Sequence, residues 1–182
     1  MKILSMMLAS IGIAAASAAY ASDGTITING SVVASTCTIN GGQGDVTVNL
    51  PTVATTALAS PGTVAGRTPF TLALTNCTTG NGSPTKVGVA FEAGANVDLT
   101  TGRLKLNAGS EAAPAASNVQ INVLNDQQQP IKVGFQGDQG SQMVAIGNDG
   151  SATLNYFAEY YATGAVTAGA ANSKVQYSLT YQ

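Results

Sequence analysis

Apolar and polar residues alternate along most of this chain, and the alternation is especially regular at its end. Between Lys174 and Gln182 every second position is apolar or aromatic, at Val175, Tyr177, Leu179 and Tyr181. A period of two predicts a β-strand with one face in a core. Because the chain ends with this strand, we expect its free edge to lack a neighbour within the chain. An uncovered apolar edge in turn predicts pairing with another chain.

A second regular alternation lies near the start, at residues 22–33. One face carries Ile26, Ile28, Gly30 and Val32, and threonine, asparagine and serine occupy the other. Periodicity alone favours the interpretation that residues 22–33 form the first strand of the chain's own sandwich, with a bulge at Gly30. The alternative is a strand that lies very close to another surface, where a glycine is useful because it has no side chain.

Shorter alternations separated by turn residues fill the rest of the chain. No helical period longer than about one turn appears after residue 21. Two stretches rich in small residues, 52–68 and 109–118, are interpreted as loops. The pattern therefore predicts an antiparallel, immunoglobulin-like β-sandwich in a single domain. The predicted strands lie at residues 34–40, 46–50, 70–74, 87–91, 104–106, 119–123, 131–133 and 154–160.

Composition narrows the function. Charged residues make up 9% of the 182 residues, the formal net charge is −2, and the chain contains no histidine and no tryptophan. A basic surface for nucleic acid is not expected. Without histidine, the Ser-His-Asp and Cys-His catalytic arrangements cannot be built. We therefore expect neither an enzyme nor a bound metal or other cofactor.

Residues 1–21 have the features of a secretory signal peptide. Lys2 precedes an apolar run over 3–16, and Ala19–Ala21 forms a small-x-small cleavage site. Cleavage after Ala18 is an alternative, and the run is too short for a membrane anchor. The predicted organisation is a signal peptide at 1–21, an N-terminal arm at 22–33 and one domain at 34–182.

The two cysteines, Cys37 and Cys77, would enter an oxidising compartment after export. A disulfide is the default expectation there. Two buried free thiols are an alternative. A metal site is a further alternative, although no histidine is available to complete it.

Taken in order, these motifs resemble the major pilin subunits of the chaperone–usher pathway, of the type 1 fimbrial kind. The resemblance covers nearly the whole chain after the signal peptide. It rests on the arm, the two cysteines, the penultimate tyrosine and Gly169, which is fourteenth from the end. The intervening stretches that match are TLALTNC, VGVAF, ASNVQINVLN and YFAEYYATGAVTAGAAN.

The resemblance implies a sandwich that lacks its last strand and is completed by a neighbouring subunit. The arm would donate Ile26, Ile28, Gly30 and Val32. The acceptor side, which the chaperone would also recognise, would comprise Gly169, Val175, Tyr177, Leu179 and Tyr181. One departure is that only Ser22 and Asp23 precede Gly24, so the donor strand would be short at its leading end.

The implied partners are identical subunits in a head-to-tail polymer, a periplasmic chaperone and an outer-membrane usher. The implied location is a cell-surface fimbria that is reached through the periplasm and supports adhesion. The alternatives are a minor adaptor or terminator subunit and a carbohydrate-binding adhesin module.

Overall fold

The computed structural model describes residues 24–30, 32 and 37–182, so the predicted signal peptide lies outside the described residues. The chain divides into two units, residues 1–32 and 33–182. In the first unit, the described residues belong to no strand. Ile26, Ile28 and Val32 are almost fully exposed, at 90%, 89% and 102%. For these residues, the prediction of a first strand in the chain's own sandwich is wrong.

The second unit is a sandwich of two antiparallel sheets. The larger sheet has the order β1-β2-β8-β6-β5-β4 and the smaller has the order β7-β3-β9. The strands are β1 (Thr38–Ile39), β2 (Val64–Thr75), β3 (Lys86–Phe91), β4 (Val97–Asp98), β5 (Arg103–Leu104), β6 (Val119–Leu124), β7 (Met143–Ala145), β8 (Ala152–Ala162) and β9 (Tyr177–Tyr181). Short 3₁₀ helices lie at Asn40–Gly42 and Thr55–Leu58. Among the described residues, no helix has the length and apolar character that crossing a bilayer requires.

The longest pairing joins β2 to β8 in the centre of the larger sheet, from Leu74↔Ala152 to Val64↔Tyr161. Strand β2 starts at Val64, inside a stretch that the sequence predicts to be a loop. The register shifts between Ala65 and Thr68, where Gly66 has a φ of 69°, in the left-handed region. This bulge breaks the apolar alternation, which explains why the pattern does not reveal the start of the strand.

Tyr156 joins the two sheets in the core. Its side chain on β8 is fully buried. The ring stacks on Phe70 of β2 at 5.5 Å and meets Phe91 of β3 edge-on at 5.4 Å. Burial raises the pKa of the Tyr156 hydroxyl to about 12, and this hydroxyl lies 3.1 Å from that of Ser141. A buried aromatic cluster of this kind stabilises the packing of one sheet on the other.

A disulfide between Cys37 and Cys77 is present, as predicted. It connects the residue before β1 to the end of β2, where the Cys77 amide also donates a 2.9 Å hydrogen bond to the carbonyl of Gly150. The edge strand β1 is thereby joined covalently to the adjacent strand β2 at one end of their pairing.

The opposite face of the larger sheet carries a polar network around the buried Glu159. The carboxylate accepts hydrogen bonds from Arg67 at 2.8 Å and from Asn122 at 3.0 Å. Arg103 donates to Asn122 at 3.0 Å and covers the ring of Tyr161. The buried carboxylate of Glu159 therefore has both a counter-charge and hydrogen-bond donors. The same side chains link the strands β2, β8, β6 and β5 on the face that points away from the core.

Candidate functional site

Strand β9 forms one edge of the smaller sheet. It pairs with β3 from Phe91↔Tyr177 to Val87↔Tyr181. No strand in the described part of the chain pairs with its opposite side. The expectation of an open edge at the last strand is therefore confirmed. Side chains along 171–181 alternate between half-buried and exposed, which places one face of this stretch toward the core.

The terminal strand is shorter than the alternation predicts, because residues 174–176 belong to no sheet. Isolated hydrogen bonds hold the stretch instead. The Asn172 carbonyl accepts from the amide of Asn107 at 2.7 Å, and the Gln176 carbonyl accepts from the amide of Glu92 at 2.8 Å. The Ser173 hydroxyl donates to the carbonyl of Lys105 at 2.7 Å. These contacts fix the stretch in place without forming a ladder.

Residues 44–50 run opposite this stretch. Val46, Val48 and Leu50 are half-buried while Thr47 and Asn49 are exposed, as in a strand. The predicted strand at 46–50 is nevertheless wrong as an element of a sheet. None of residues 45–50 makes a hydrogen bond to another described residue, because no strand lies beside them. The segment has the side-chain pattern of a strand, but its backbone is not paired with another described strand.

A groove of about 900 Å³ lies between these two segments, which we call lip A (residues 44–50) and lip F (residues 171–177). Its floor consists of apolar side chains from both sheets of the sandwich. These are Phe70, Leu72, Phe91, Leu104, Ile121, Val123, Ala158 and Tyr160. The groove therefore opens directly onto the core. An apolar floor between two unpaired edges suits an extended strand with apolar side chains on one face.

The charged residues that line the groove are Asp45, Glu92 and Lys174. Asp45 lies on lip A, and Glu92 accepts a hydrogen bond from the hydroxyl of Ser178 on β9. The Tyr177 hydroxyl donates a 2.5 Å hydrogen bond to the carbonyl of Gly44. Burial raises the pKa of Tyr177, and the negative charge of Asp45 raises it further. The tyrosine therefore keeps its proton and remains a donor at neutral pH.

The structure separates the predicted acceptor residues. Val175, Tyr177 and Leu179 line the groove. Tyr181 lies on the same face of β9 but is not among the lining residues. Gly169 does not line the groove either. It is exposed, and a Cβ at this position would lie only 2.5 Å from the amide nitrogen of Ala116.

The surroundings of Gly169 explain why a glycine stands there. Its neighbour Ala170 forms a parallel bridge with Ala115, and the amide of Ala170 donates to the carbonyl of Pro114 at 2.8 Å. The two backbones come too close for a side chain between them. The prediction that Gly169 lines the groove is therefore wrong. The geometry around Gly169 indicates a contact between two loops.

The sequence does not indicate that lip A belongs to the site. The alternation of Val46, Val48 and Leu50 predicts an ordinary strand. Among the described residues, no group of three histidine, cysteine, aspartate or glutamate side chains is placed to hold a metal ion.

Comparison with known proteins identifies the family. The family described as "Type-1 fimbrial protein, A" matches residues 50–182, more than two thirds of the chain. The chain belongs to the type-1 fimbrial protein family. The major fimbrial subunit SMF-1 of Stenotrophomonas maltophilia (strain K279a) is 52% identical over 174 residues, covering 92% of this chain and 98% of that protein. The F17 fimbrial protein of Escherichia coli is 44% identical over 185 residues and covers 100% of both.

Solved fimbrial structures are similar to this subunit as well. A chaperone–usher pilus determined to explain rod uncoiling has a TM-score of 0.59 and 26% identity, covering 88% of this chain and 96% of that chain. The P pilus rod subunit PapA has a TM-score of 0.59 and 25% identity, with coverages of 80% and 99%. The predicted pilin fold, an immunoglobulin-like sandwich, is confirmed.

The fimbrial subunit is therefore a structural component of a pilus. It is exported through the periplasm to a fimbria on the cell surface, as its relatives and structural neighbours indicate. Its family and its fold are those of structural pilus subunits, and they are not known as enzymes.

Proposed function

We propose that the fimbrial subunit polymerises by strand donation, with residues 22–33 of one copy filling the groove of the next. The observation that carries this proposal is the groove itself, an apolar channel between two edges without β partners. Adding a strand to an exposed edge is an established mode of recognition.

The arm has the chemistry that this groove requires. The side chains of Ile26, Ile28 and Val32 are exposed and fall on one face of an extended chain. Burying three such side chains contributes roughly 5–9 kcal/mol before the entropic cost of ordering the arm. Gly30 lies on the same face and would let the arm's backbone approach the floor closely.

Strand donation of this kind is a head-to-tail contact. The donating and accepting surfaces differ, so the contact leaves one arm and one groove free at the two ends of any chain of subunits. Such an interface extends into a filament instead of closing into a dimer. We propose that this chain is the major subunit of its fimbria, since the relative with 52% identity is a major fimbrial subunit.

An empty groove exposes a sheet edge and core side chains, and exposed surfaces of this kind favour aggregation. We therefore propose that a periplasmic chaperone covers lip A and lip F before assembly and that an outer-membrane usher exchanges the chaperone for the next arm. The structural neighbour from a chaperone–usher pilus supports this proposal.

A fusion tests the proposal. A second copy of residues 22–33 is attached after Gln182 through a flexible linker, and the chain is expressed in the periplasm without a chaperone. We expect a soluble monomer by size-exclusion chromatography with light scattering, because the fused arm fills the groove in cis. The unfused chain should aggregate or form polymers.

The matched control carries Ile26→Asp and Ile28→Asp in the fused copy. It has the same length and linker, but the buried face of the arm is now charged. This control should behave like the unfused chain. An unfused chain that is already a stable monomer, with the melting temperature of the fusion, contradicts the proposal.

A further inference from the structure

A hydrogen bond crosses the groove from one lip to the other. The hydroxyl of Tyr177 on lip F donates to the carbonyl of Gly44 on lip A at 2.5 Å. Strands that flank a missing strand lie roughly 9–10 Å apart, twice the spacing of neighbouring strands. The side chain of Tyr177 therefore extends across the space that a missing strand would fill.

The contact lies inside the groove and not at its end. Lining residues precede and follow it along both segments of chain, namely Ile39 and Val46 around Gly44, and Val175 and Leu179 around Tyr177. The side chain of Tyr177 is half-buried, so it lies between the apolar floor and solvent. A strand that occupies the groove on both sides of the contact has to pass it.

The arm is too long to stay on one side of the contact. The lip A residues that follow Gly44 and line the groove are residues 45–50, which span at most about 17 Å even when fully extended. The inward positions from Ile26 to Val32 require about 20 Å in a strand, and the whole arm over 22–33 requires about 36 Å. An arm that places all its inward side chains in the groove therefore meets the side chain of Tyr177.

The contact also occupies a backbone group that an inserted strand would use. Residues 45–50 make no hydrogen bond to another described residue, whereas the carbonyl of Gly44 already accepts one from Tyr177. When a strand is added to an edge, its backbone amides donate to the free carbonyls of that edge. The tyrosine hydroxyl takes the place of one such amide. Because burial and the charge of Asp45 raise the pKa of Tyr177, it remains a donor at neutral pH.

We infer that Tyr177 forms an autoinhibitory contact, in which its hydroxyl joins the two lips of the empty groove and is displaced when a donor strand enters. This inference rests on the proposed function. The hydrogen bond stabilises the empty subunit and not the filled one, so it weakens the binding of an arm. A hydrogen bond of this kind changes an equilibrium constant roughly threefold to tenfold. The contact thereby restrains the insertion of an arm before assembly.

The test compares the wild-type side chain with Tyr177→Phe, which removes only the hydroxyl. Both full chains carry Ile26→Asp and Ile28→Asp in their own arm, so that copies cannot fill one another. A fluorescent synthetic peptide of residues 22–33 is titrated into dilute protein, and fluorescence anisotropy gives its Kd. We expect Tyr177→Phe to bind the peptide about threefold to tenfold more tightly.

Tyr161→Phe is the matched control. It is the same chemical change on the outer face of β8, where the ring of Tyr161 lies under Arg103 and does not line the groove. The Kd of the peptide should stay within twofold of the wild-type value. A Kd that is unchanged or weaker in Tyr177→Phe overturns the inference.

The filled subunit gives a second measurement that does not depend on the solubility of the empty chain. In the fusion that carries the arm after Gln182, the contact is already displaced, so Tyr177→Phe should change the equilibrium constant of urea unfolding by less than twofold. A larger loss shows that the hydrogen bond persists beside the arm and overturns the inference. If the wild-type chain binds no peptide and gains no stability from the fused arm, the failure lies in strand donation itself, which distinguishes the two proposals.

Discussion

Truncating one donor side chain should reveal how much of the stability of a filled subunit comes from the arm. The change is Ile28→Ala in the fused copy of residues 22–33. Ile28 is 89% exposed in the isolated chain, so its transfer into the groove removes nearly the whole side chain from water. Alanine lacks three of its carbon atoms, worth about 0.8 kcal/mol each, and the cavity left behind adds to the loss.

The expected cost of Ile28→Ala is therefore about 2–4 kcal/mol in the free energy of unfolding. For a chain of this size, the loss corresponds to a fall in melting temperature of roughly 5–15 °C. Urea unfolding followed by circular dichroism measures the free energy, and thermal melts provide a second measurement. The slope of the free energy of unfolding against urea concentration should be the same in the two proteins, since the surface exposed on unfolding hardly changes.

Thr27→Ala in the same fused copy is the matched control. Thr27 is adjacent to Ile28 but belongs to the polar face of the arm. It should cost no more than about 0.5 kcal/mol, as surface substitutions usually do. Equal costs at the two positions would refute the assignment of the inward face. No cost at either position would refute burial of the arm.

Three further predictions concern the body of the subunit. Replacing Cys37 and Cys77 by serine opens a loop of 40 residues, so urea unfolding should show a loss of about 4 kcal/mol in the free energy of unfolding. Gly150→Ala should lower the free energy of unfolding by at least about 2 kcal/mol, because φ at Gly150 is 73° and the new Cβ would lie 2.7 Å from the carbonyl oxygen of Cys77. The control Gly94→Ala, at a position with open space around it, should change the free energy of unfolding by no more than about 0.5 kcal/mol. Hydrogen bonds from Gln120 and Thr100 lower the pKa of Asp98 from 3.8 to about 2, so the stability contributed by its charge is complete above pH 4 and lost as the pH falls through 2. The loss of stability caused by Asp98→Asn should therefore become smaller over that pH range in acid unfolding titrations. A difference in stability between the two proteins that does not depend on pH would contradict this prediction.

Alternation predicts the strands in which one face is buried over several consecutive residue pairs. Strand β8 is an example, with Leu154, Tyr156, Ala158 and Tyr160 all buried, as the pattern requires. Short strands such as Met143–Ala145 have too few residues to show a period. Their pairing depends on the neighbouring strand β3, which local sequence does not reveal.

The site was predicted on one side only. The alternation at Val175, Tyr177 and Leu179 predicts the end of lip F and the strand β9 that follows it, although the paired strand is shorter than the alternation. Lip A carries an equally clear alternation at Val46, Val48 and Leu50, but alternation reports burial of one face and says nothing about hydrogen-bonded neighbours. The groove results from the absence of a strand between the two segments. A missing neighbour is a property of the tertiary structure, and no local pattern encodes it.

The disulfide has a mechanical consequence for a filament built from such subunits. Tension applied to the arm travels along the chain and reaches Cys37 only five positions beyond Val32. The covalent bond to Cys77 passes this load to the end of β2, which is held by nine residue pairs with β8. Pulling along these strands loads many hydrogen bonds in shear at the same time. Tension on the fibre would then be borne by the longest strand pairing of the subunit, and the disulfide would keep the load off the chain between Cys37 and Cys77.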